Sequence, residues 1–273
     1  MAVETIPDSV QAKEDALRAQ LAAFGRLAIA YSGGVDSSYL SAVAHEVLGA
    51  RASMVLADSP SIPRSEVAEA EALAKARGWN FLKIATQEFE NEDYLKNDGR
   101  RCYFCKSELF AQMDQYARAQ GIAVLAYGEI SDDLLDPTRL GAQAAREHRV
   151  VAPLSAVGLG KEEIRRLSRR MGLPTWNKAS FACLSSRFPK GTRVDIEEMR
   201  KVEAAEEVLR GEGFRQFRAR HHGDLVRIEV DPAEIATFAD AANRDRIVAG
   251  LRAAGYRHVT LDLAGYRTGS TAG

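Results

Sequence analysis

Short apolar runs alternate with amphipathic stretches through the first 175 residues. Leu27–Tyr31 (LAIAY), Ser53–Ala57 (SMVLA), Phe81–Ala85 (FLKIA), Ile122–Tyr127 (IAVLAY) and Val150–Leu154 (VVAPL) have the length and character of buried strands. Between them, Ser37–Leu48, Arg64–Arg77, Ser107–Ala119 and Lys161–Met171 carry the spacing of helices. Strands alternating with helices of this length predict an α/β fold with a doubly wound parallel sheet, covered by helices on both faces.

Pro174 and the irregular stretch 177–191 break that rhythm. A helix is predicted from Asp195 to Arg210, with Asp195 as its N-cap. Two strands follow, Phe214–Arg220 and Leu225–Val230, joined by His-His-Gly-Asp. A helical stretch with a break near Asn243 and a last strand, His258–Leu263, complete a second, smaller α/β domain. The expected division is 1–185 for nucleotide chemistry and 186–273 for substrate binding and oligomerisation, in a homo-oligomer. Thr268–Gly273 reads as a frayed tail, and no internal repeat is visible.

Composition narrows the classes. Hydrophobic residues make up 46% of the 273 positions, charged residues 27%, and the net charge is −1. That is ordinary globular material with enough apolar surface for a sizeable core. Bulk charge gives no grip on a polyanion, so nucleic acid is not the expected partner. No run of 18 apolar residues occurs, so no membrane span is expected. The N-terminus has no basic start followed by an apolar stretch, so no secretory signal is expected and a cytoplasmic location is. The three cysteines make a poor disulfide framework.

Chemistry first shows itself after the first strand, in Ser32-Gly33-Gly34-Val35-Asp36-Ser37-Ser38. Adjacent glycines let the backbone turn sharply and approach a ligand. Serine hydroxyls and the free N–H groups of the next helix favour an anion. An acidic residue inside a phosphate-binding loop makes sense chiefly with a divalent cation between them. No Gly-Lys-Ser/Thr follows, so this is not a Walker A loop, and G-x-G-x-x-G is absent. The plain alternative is a strand-to-helix turn built of small residues.

Cys102 and Cys105 form Cys-Tyr-Phe-Cys, and Cys183 lies far along the chain. A closed zinc site needs four ligands and only three cysteines exist. Three thiolates suit an iron–sulfur cluster with one iron left open. Ordinary half-buried thiols and a dithiol redox pair are the other readings. Cys183 sits near Lys178, Arg187 and Lys190 in sequence, a setting that favours a nucleophilic sulfur.

The glycine loop resembles the SGGxDS signature of the PP-loop ATP-pyrophosphatases, which cleave ATP between its α- and β-phosphates. The resemblance implies ATP at the carboxyl ends of the strands. Ser32, Gly33, Gly34, Asp36, Ser37 and Ser38 would then hold phosphates, with Mg²⁺ on Asp36, and Asp58 would meet the nucleoside. YSGGVDSSYL, GRRCYFCKSELF, PLSAVGLGKEEIRRLSRRMGLPTW, NKASFACLSSRFPKG and FRARHHGDLVRIEV together resemble the LarE family over nearly the whole chain. That family uses ATP to adenylate the carboxylates of a pyridinium biscarboxylic acid mononucleotide and replaces the adenylate with sulfur, toward the nickel-pincer nucleotide cofactor. In one branch a single cysteine at the position of Cys183 is the sulfur source. In another, three cysteines hold a [4Fe-4S] cluster. Cys102 and Cys105 place this chain with the cluster type, and Cys183 and Asp36 are the expected catalytic residues.

The predicted strand Phe214–Arg220 projects Arg218 and Arg220 from one face, and two guanidiniums on one face suit a phosphate. A solvated strand edge is the alternative. Lys106 matches a family position that assists phosphate binding. Either Glu206 or Glu207 approximates a family acidic position. Lys161, Glu162 and Glu163 open a helix whose dipole accounts for the acids. His221 and His222 read as exposed residues at a turn. The rival functions are a tRNA-thiolating PP-loop enzyme, an ammonia-using amidotransferase or NAD-synthase-like enzyme, and a nucleotide-binding module without turnover.

Overall fold

The computed structural model describes residues 6–135, 140–179 and 182–267; the expected frayed tail, Thr268–Gly273, lies outside them. In chain order its main elements are α1 (Asp8–Phe24), β1 (Leu27–Ala30), α2 (Val35–Leu48), β2 (Ala52–Asp58), α3 (Arg64–Ala76), β3 (Asn80–Ala85), α4 (Glu92–Leu95), α5 (Arg101–Gln120) and β4 (Val124–Tyr127). Then come α6 (Leu140–Glu147), α7 (Pro153–Ala156), α8 (Lys161–Arg170), α9 (Ile196–Gly211), β5 (Phe217–His222), β6 (Leu225–Val230), α10 (Ala241–Ala253) and β7 (His258–Leu261). They group into two compact units. One takes Met1–Ser59, Arg64–Glu88 and Cys102–Phe181; the other takes Pro60–Pro63, Phe89–Arg101 and Ala182–Gly273.

The first unit is the α/β fold expected. Its strands are parallel and ordered β3-β2-β1-β4. Ala28, Val55 and Leu125 pack with Phe110, Met113 and Ala117 of α5 and with Ala144 and Ala145 of α6. Leu27, Ile29 and Met54 alternate with these and are buried too. Burial on both faces is why these strands read as unbroken apolar runs. The expected fifth strand at Val150–Leu154 does not form. Val151 makes one isolated bridge to Ala126, and Pro153 then opens α7. Proline has no N–H for a ladder but fits the first turn of a helix.

The short helices α4, α6 and α7 were not expected, and two longer ones differ from expectation. α1 was not expected; its buried residues are Val10, Glu14, Leu17 and Leu21. The carboxylate in that row is matched by Arg170 and, at 3.3 Å, Arg18. α5 begins at Arg101 rather than Ser107, which puts Cys102 and Cys105 in its first turn.

In the second unit, β5 pairs antiparallel with β6, and β6 pairs parallel with β7. Asp195 caps α9 as expected, accepting from the N–H groups of Glu197 and Glu198 at 2.8 and 3.2 Å. Ala205 and Leu209 of α9 and Ile247 and Leu251 of α10 pack on Phe217, Ala219, Val226 and Ile228.

The histidine pair is corrected here. His221 and His222 lie inside β5, and His221 is buried. Its ring lies 4.8 Å from that of Phe188, its Nδ1 is 3.1 Å from the Tyr256 hydroxyl, and its Nε2 accepts from Gly223 N–H at 3.3 Å. Burial pushes the His221 imidazole below its ordinary value; Glu198 opposes this, and Lys201 and His222 add to it. Burial also pushes His222 down. The folded state thus binds protons less readily than the unfolded chain. This stability is whole above the unfolded pKa of about 6.5 and is lost as pH falls below it. We expect the melting temperature to drop from pH 7 toward pH 5, and His221→Gln to flatten part of that slope. An unchanged slope in the variant would rule His221 out as its origin.

Candidate active site

The glycine loop leaves the carboxyl end of β1, the central strand of the parallel sheet, with β2 on one side and β4 on the other. Ligands of open α/β sheets bind at such a point. Gly33 has φ of +72°, and a Cβ there would stand 2.7 Å from the Ala70 Cβ on α3. Gly128, just past β4, approaches equally closely: a Cβ would stand 3.0 Å from the Ser37 nitrogen. Glycine is therefore required on both sides of the loop. Ser37 ties the loop together, with its Oγ 3.1 Å from Ser32 N and 3.0 Å from Ser32 Oγ. Ser32 is exposed, Ser37 nearly buried and Ser38 fully buried. Gly34 precedes α2 in extended conformation and offers no capping side chain. The first amides of α2 keep their capacity for an anion.

Asp36 stands in the first turn of α2, half-buried. Lys161 Nζ reaches both its oxygens, at 2.9 and 2.7 Å. Burial pushes the Asp36 carboxyl up, and the Lys161 ammonium works against that. A carboxylate short of water and set beside a phosphate loop is suited to a cation. Sequence reasoning missed Lys161, but a signal was present. It occupies the first position of α8, where a cation opposes the helix dipole. Local rules broken at one position mark function or a compensating partner, and here the partner is Asp36.

Other predicted residues lie toward the carboxyl side of the same sheet. Asp58 ends β2 and pairs with Arg64 at 2.5 Å. Lys106 Nζ lies 4.9 Å from the ring centroid of Tyr127, the last residue of β4. Its side chain crosses Gly141, where a Cβ would stand 2.6 Å from the Lys106 Cδ. Cys102 is exposed and Cys105 half-buried; their three-residue spacing sets them on one helix face.

Cys183, Arg218 and Arg220 belong to the second unit. Cys183 is half-buried. Arg218 and Arg220 are only 7% and 5% exposed, so the solvated-edge reading does not hold. Arg220 Nη2 meets Glu229 at 2.8 Å, and its Nη1 donates to Ser186 O at 2.9 Å. Arg218 lies over the Tyr266 ring, 4.9 Å from its centroid. Burial and then Arg187 push Arg218 below its ordinary value, the mark of crowded positive charge. Arg187 is 1% exposed and pairs through Nε and Nη2 with both oxygens of Glu206, at 2.7 and 2.9 Å. Removing one partner of such a buried pair costs about 3–5 kcal/mol. Among the described residues, no three His, Cys, Asp or Glu side chains gather as a metal group.

Comparison with known proteins decides the family. The model described as asparagine synthase matches residues 11–236. A pyridinium-3,5-bisthiocarboxylic acid mononucleotide synthase of Lactiplantibacillus plantarum is 34% identical over 94% of this chain and 92% of its own. The chain belongs to the LarE branch of the asparagine synthase family of PP-loop ATP-pyrophosphatases. An uncharacterised protein of Synechocystis sp. is 39% identical over 95% of this chain and 97% of its own. A glutamine-hydrolysing GMP synthase of Ligilactobacillus salivarius is 24% identical over only 55% of this chain. Similarity thus runs nearly end to end with the LarE relative and stops short with the amidotransferase.

Of the two candidate glutamates, Glu206 is buried against Arg187, whereas Glu207 is exposed beside Arg210. No described helix is long and apolar enough to cross a membrane.

Proposed function

We propose that this protein is an ATP-dependent sulfur transferase that releases AMP and pyrophosphate. Its substrate is pyridinium-3,5-biscarboxylic acid mononucleotide, whose carboxylates become thiocarboxylates in nickel-pincer cofactor biosynthesis. The reading rests on the Ser32–Ser38 loop at the carboxyl end of a buried parallel strand, and the bisthiocarboxylic acid synthase relative supports the substrate.

A carboxylate resists attack because its leaving group would be oxide; adenylation makes phosphate the leaving group. Ser32, Gly33, Gly34, Ser37 and Ser38 hold the ATP phosphates, and Asp58 faces the nucleoside. Asp36 would hold Mg²⁺, which would neutralise the phosphates when bound; the Lys161 ammonium against both Asp36 oxygens supports positive charge at this position. Lys106, Arg218 and Arg220 take the substrate phosphate. Arg218 and Arg220 are both buried and lie two residues apart on β5, and two guanidiniums on one strand face favour an anion.

Cys102, Cys105 and Cys183 are the proposed ligands of a [4Fe-4S] cluster, which would supply a renewable sulfur for transfer. Support comes from the two thiols sharing an accessible helix turn and from Cys183 also reaching solvent. The cytoplasm and a homo-oligomer formed through the second unit complete the reading.

The test is anaerobic purification with iron and sulfide analysis, followed by pyrophosphate release from ATP with the biscarboxylated nucleotide. About four irons per chain and nucleotide-dependent release are expected. A protein colourless after reconstitution would remove the cluster. Pyrophosphate release indifferent to the nucleotide would remove the substrate.

A further inference from the structure

The stretch carrying Cys183 is held mainly through its own backbone. Arg187 Nη1 donates to the carbonyls of Ala182 at 2.6 Å and Cys183 at 3.1 Å. The Cys183 carbonyl also receives Ser186 N–H at 3.0 Å. Arg101 Nη1 donates to Ser185 O at 2.7 Å, and Arg220 Nη1 donates to Ser186 O at 2.9 Å. Leu184 N–H donates to Ser61 O at 2.8 Å. All of these contacts lie within the second unit.

Arg187 differs from Arg101 and Arg220 in reaching the carbonyls on both sides of the Cys183 Cα. One end of its guanidinium grips both oxygens of Glu206. Glu206 is itself set by Ala219 N–H, 3.1 Å from its Oε1. The other end of the guanidinium holds the peptide groups on both sides of the Cys183 Cα. One rigid plane thus carries the geometry of α9 and β5 to the thiol.

We propose that Arg187 is a positioning residue for Cys183, fixing where its thiolate would stand as a ligand of the sulfur-delivering cluster. This rests on the reading that sulfur transfer depends on Cys183. A guanidinium can fork between a carboxylate and two carbonyls, which an ammonium on a flexible stem cannot. Supporting hydrogen bonds of this kind decide whether a reacting atom is held to a fraction of an ångström. A misplacement of about 1 Å costs roughly 10²-fold in rate. A residue that only filled the core would affect both half-reactions alike.

Arg187→Lys is the direct test, since it keeps the charge and can still meet Glu206. The first-turnover rate of substrate-dependent pyrophosphate release should stay within about twofold while thiocarboxylate formation falls at least about 30-fold. In the iron-free, reduced chain, iodoacetamide should label Cys183 at least about threefold faster relative to Cys102 and Cys105, because local opening raises access. If Arg187→Lys does not fold, Glu206→Gln carries the same measurements, with the same expected split. Wild-type transfer and labelling ratios in the folded variant would overturn the proposal. A parallel fall of both half-reactions with equal acceleration at all three thiols would overturn it as well. Sulfur transfer surviving in Cys183→Ser would defeat the functional reading instead, and the labelling ratio would still decide the role of Arg187.

Discussion

Gly33→Val is expected to lower nucleotide-dependent pyrophosphate release by about 10²–10³-fold while the protein still folds. Two independent strains meet at this position. The φ of +72° lies where a branched side chain is a genuine outlier. The added Cβ would also stand 2.7 Å from the Ala70 Cβ, so the loop or α3 must move. Left-handed backbone costs a residue with a Cβ about 1–2 kcal/mol, and overpacking typically costs 1–3 kcal/mol. A domain can survive that sum, but the loop cannot keep its position. Ser37 Oγ spans Ser32 N and Ser32 Oγ at 3.1 and 3.0 Å, so displacing Gly33 pulls at that knot. Adding Ala70→Gly removes the contact but not the backbone strain, and should restore only part of the loss. Pyrophosphate release at the wild-type rate in Gly33→Val would mean that ATP does not lie on this loop.

Much of the first unit was legible because β1, β2 and β4 are largely buried and therefore read as continuous apolar runs. Helix α1 was hidden by Glu14, a carboxylate placed in the apolar row of Val10, Leu17 and Leu21. Hydropathy alone cannot foresee that Arg170 from α8 will satisfy it. The start of α5 was missed for a different reason: its buried residues, Phe110, Met113 and Ala117, all lie beyond the first turn. The start of the helix therefore carries little core periodicity: Tyr103 is only partly buried against the core, and the cysteines and Lys106 are not core residues.

The burial of Glu206 rather than Glu207 was legible in helical phase. Met199, Val202, Glu206 and Leu209 are buried in steps of three and four, and Glu207 falls about 100° off that row. The pairing of Asp36 with Lys161 joins positions 125 residues apart. Only the anomaly of a lysine at a helix start hinted at it. Local chemistry was readable; the long-range charge partners that complete it were not.

Cys183→Ser is expected to separate the two half-reactions completely. The proposed ATP-cleaving residues, the Ser32–Ser38 loop with Asp36, lie in the first unit, whereas Cys183 lies in the second. Pyrophosphate should appear up to about one equivalent per chain and then at the slow rate at which a trapped acyl adenylate leaks to water. Thiocarboxylate should fall by about 10³-fold or more, since a serine hydroxyl neither carries sulfur nor binds iron as a thiolate does. Cys102→Ser with Cys105→Ser then divides the remaining readings. If the pair holds iron with Cys183, the double variant loses iron and product together and still cleaves ATP. If the pair consists of ordinary thiols, product persists and Cys183 alone carries the sulfur. If all three cysteines can be replaced with turnover intact, sulfur is not the nucleophile. The loop would then serve an ammonia-using reaction, which leaves the adenylation half of the argument standing and removes the other half.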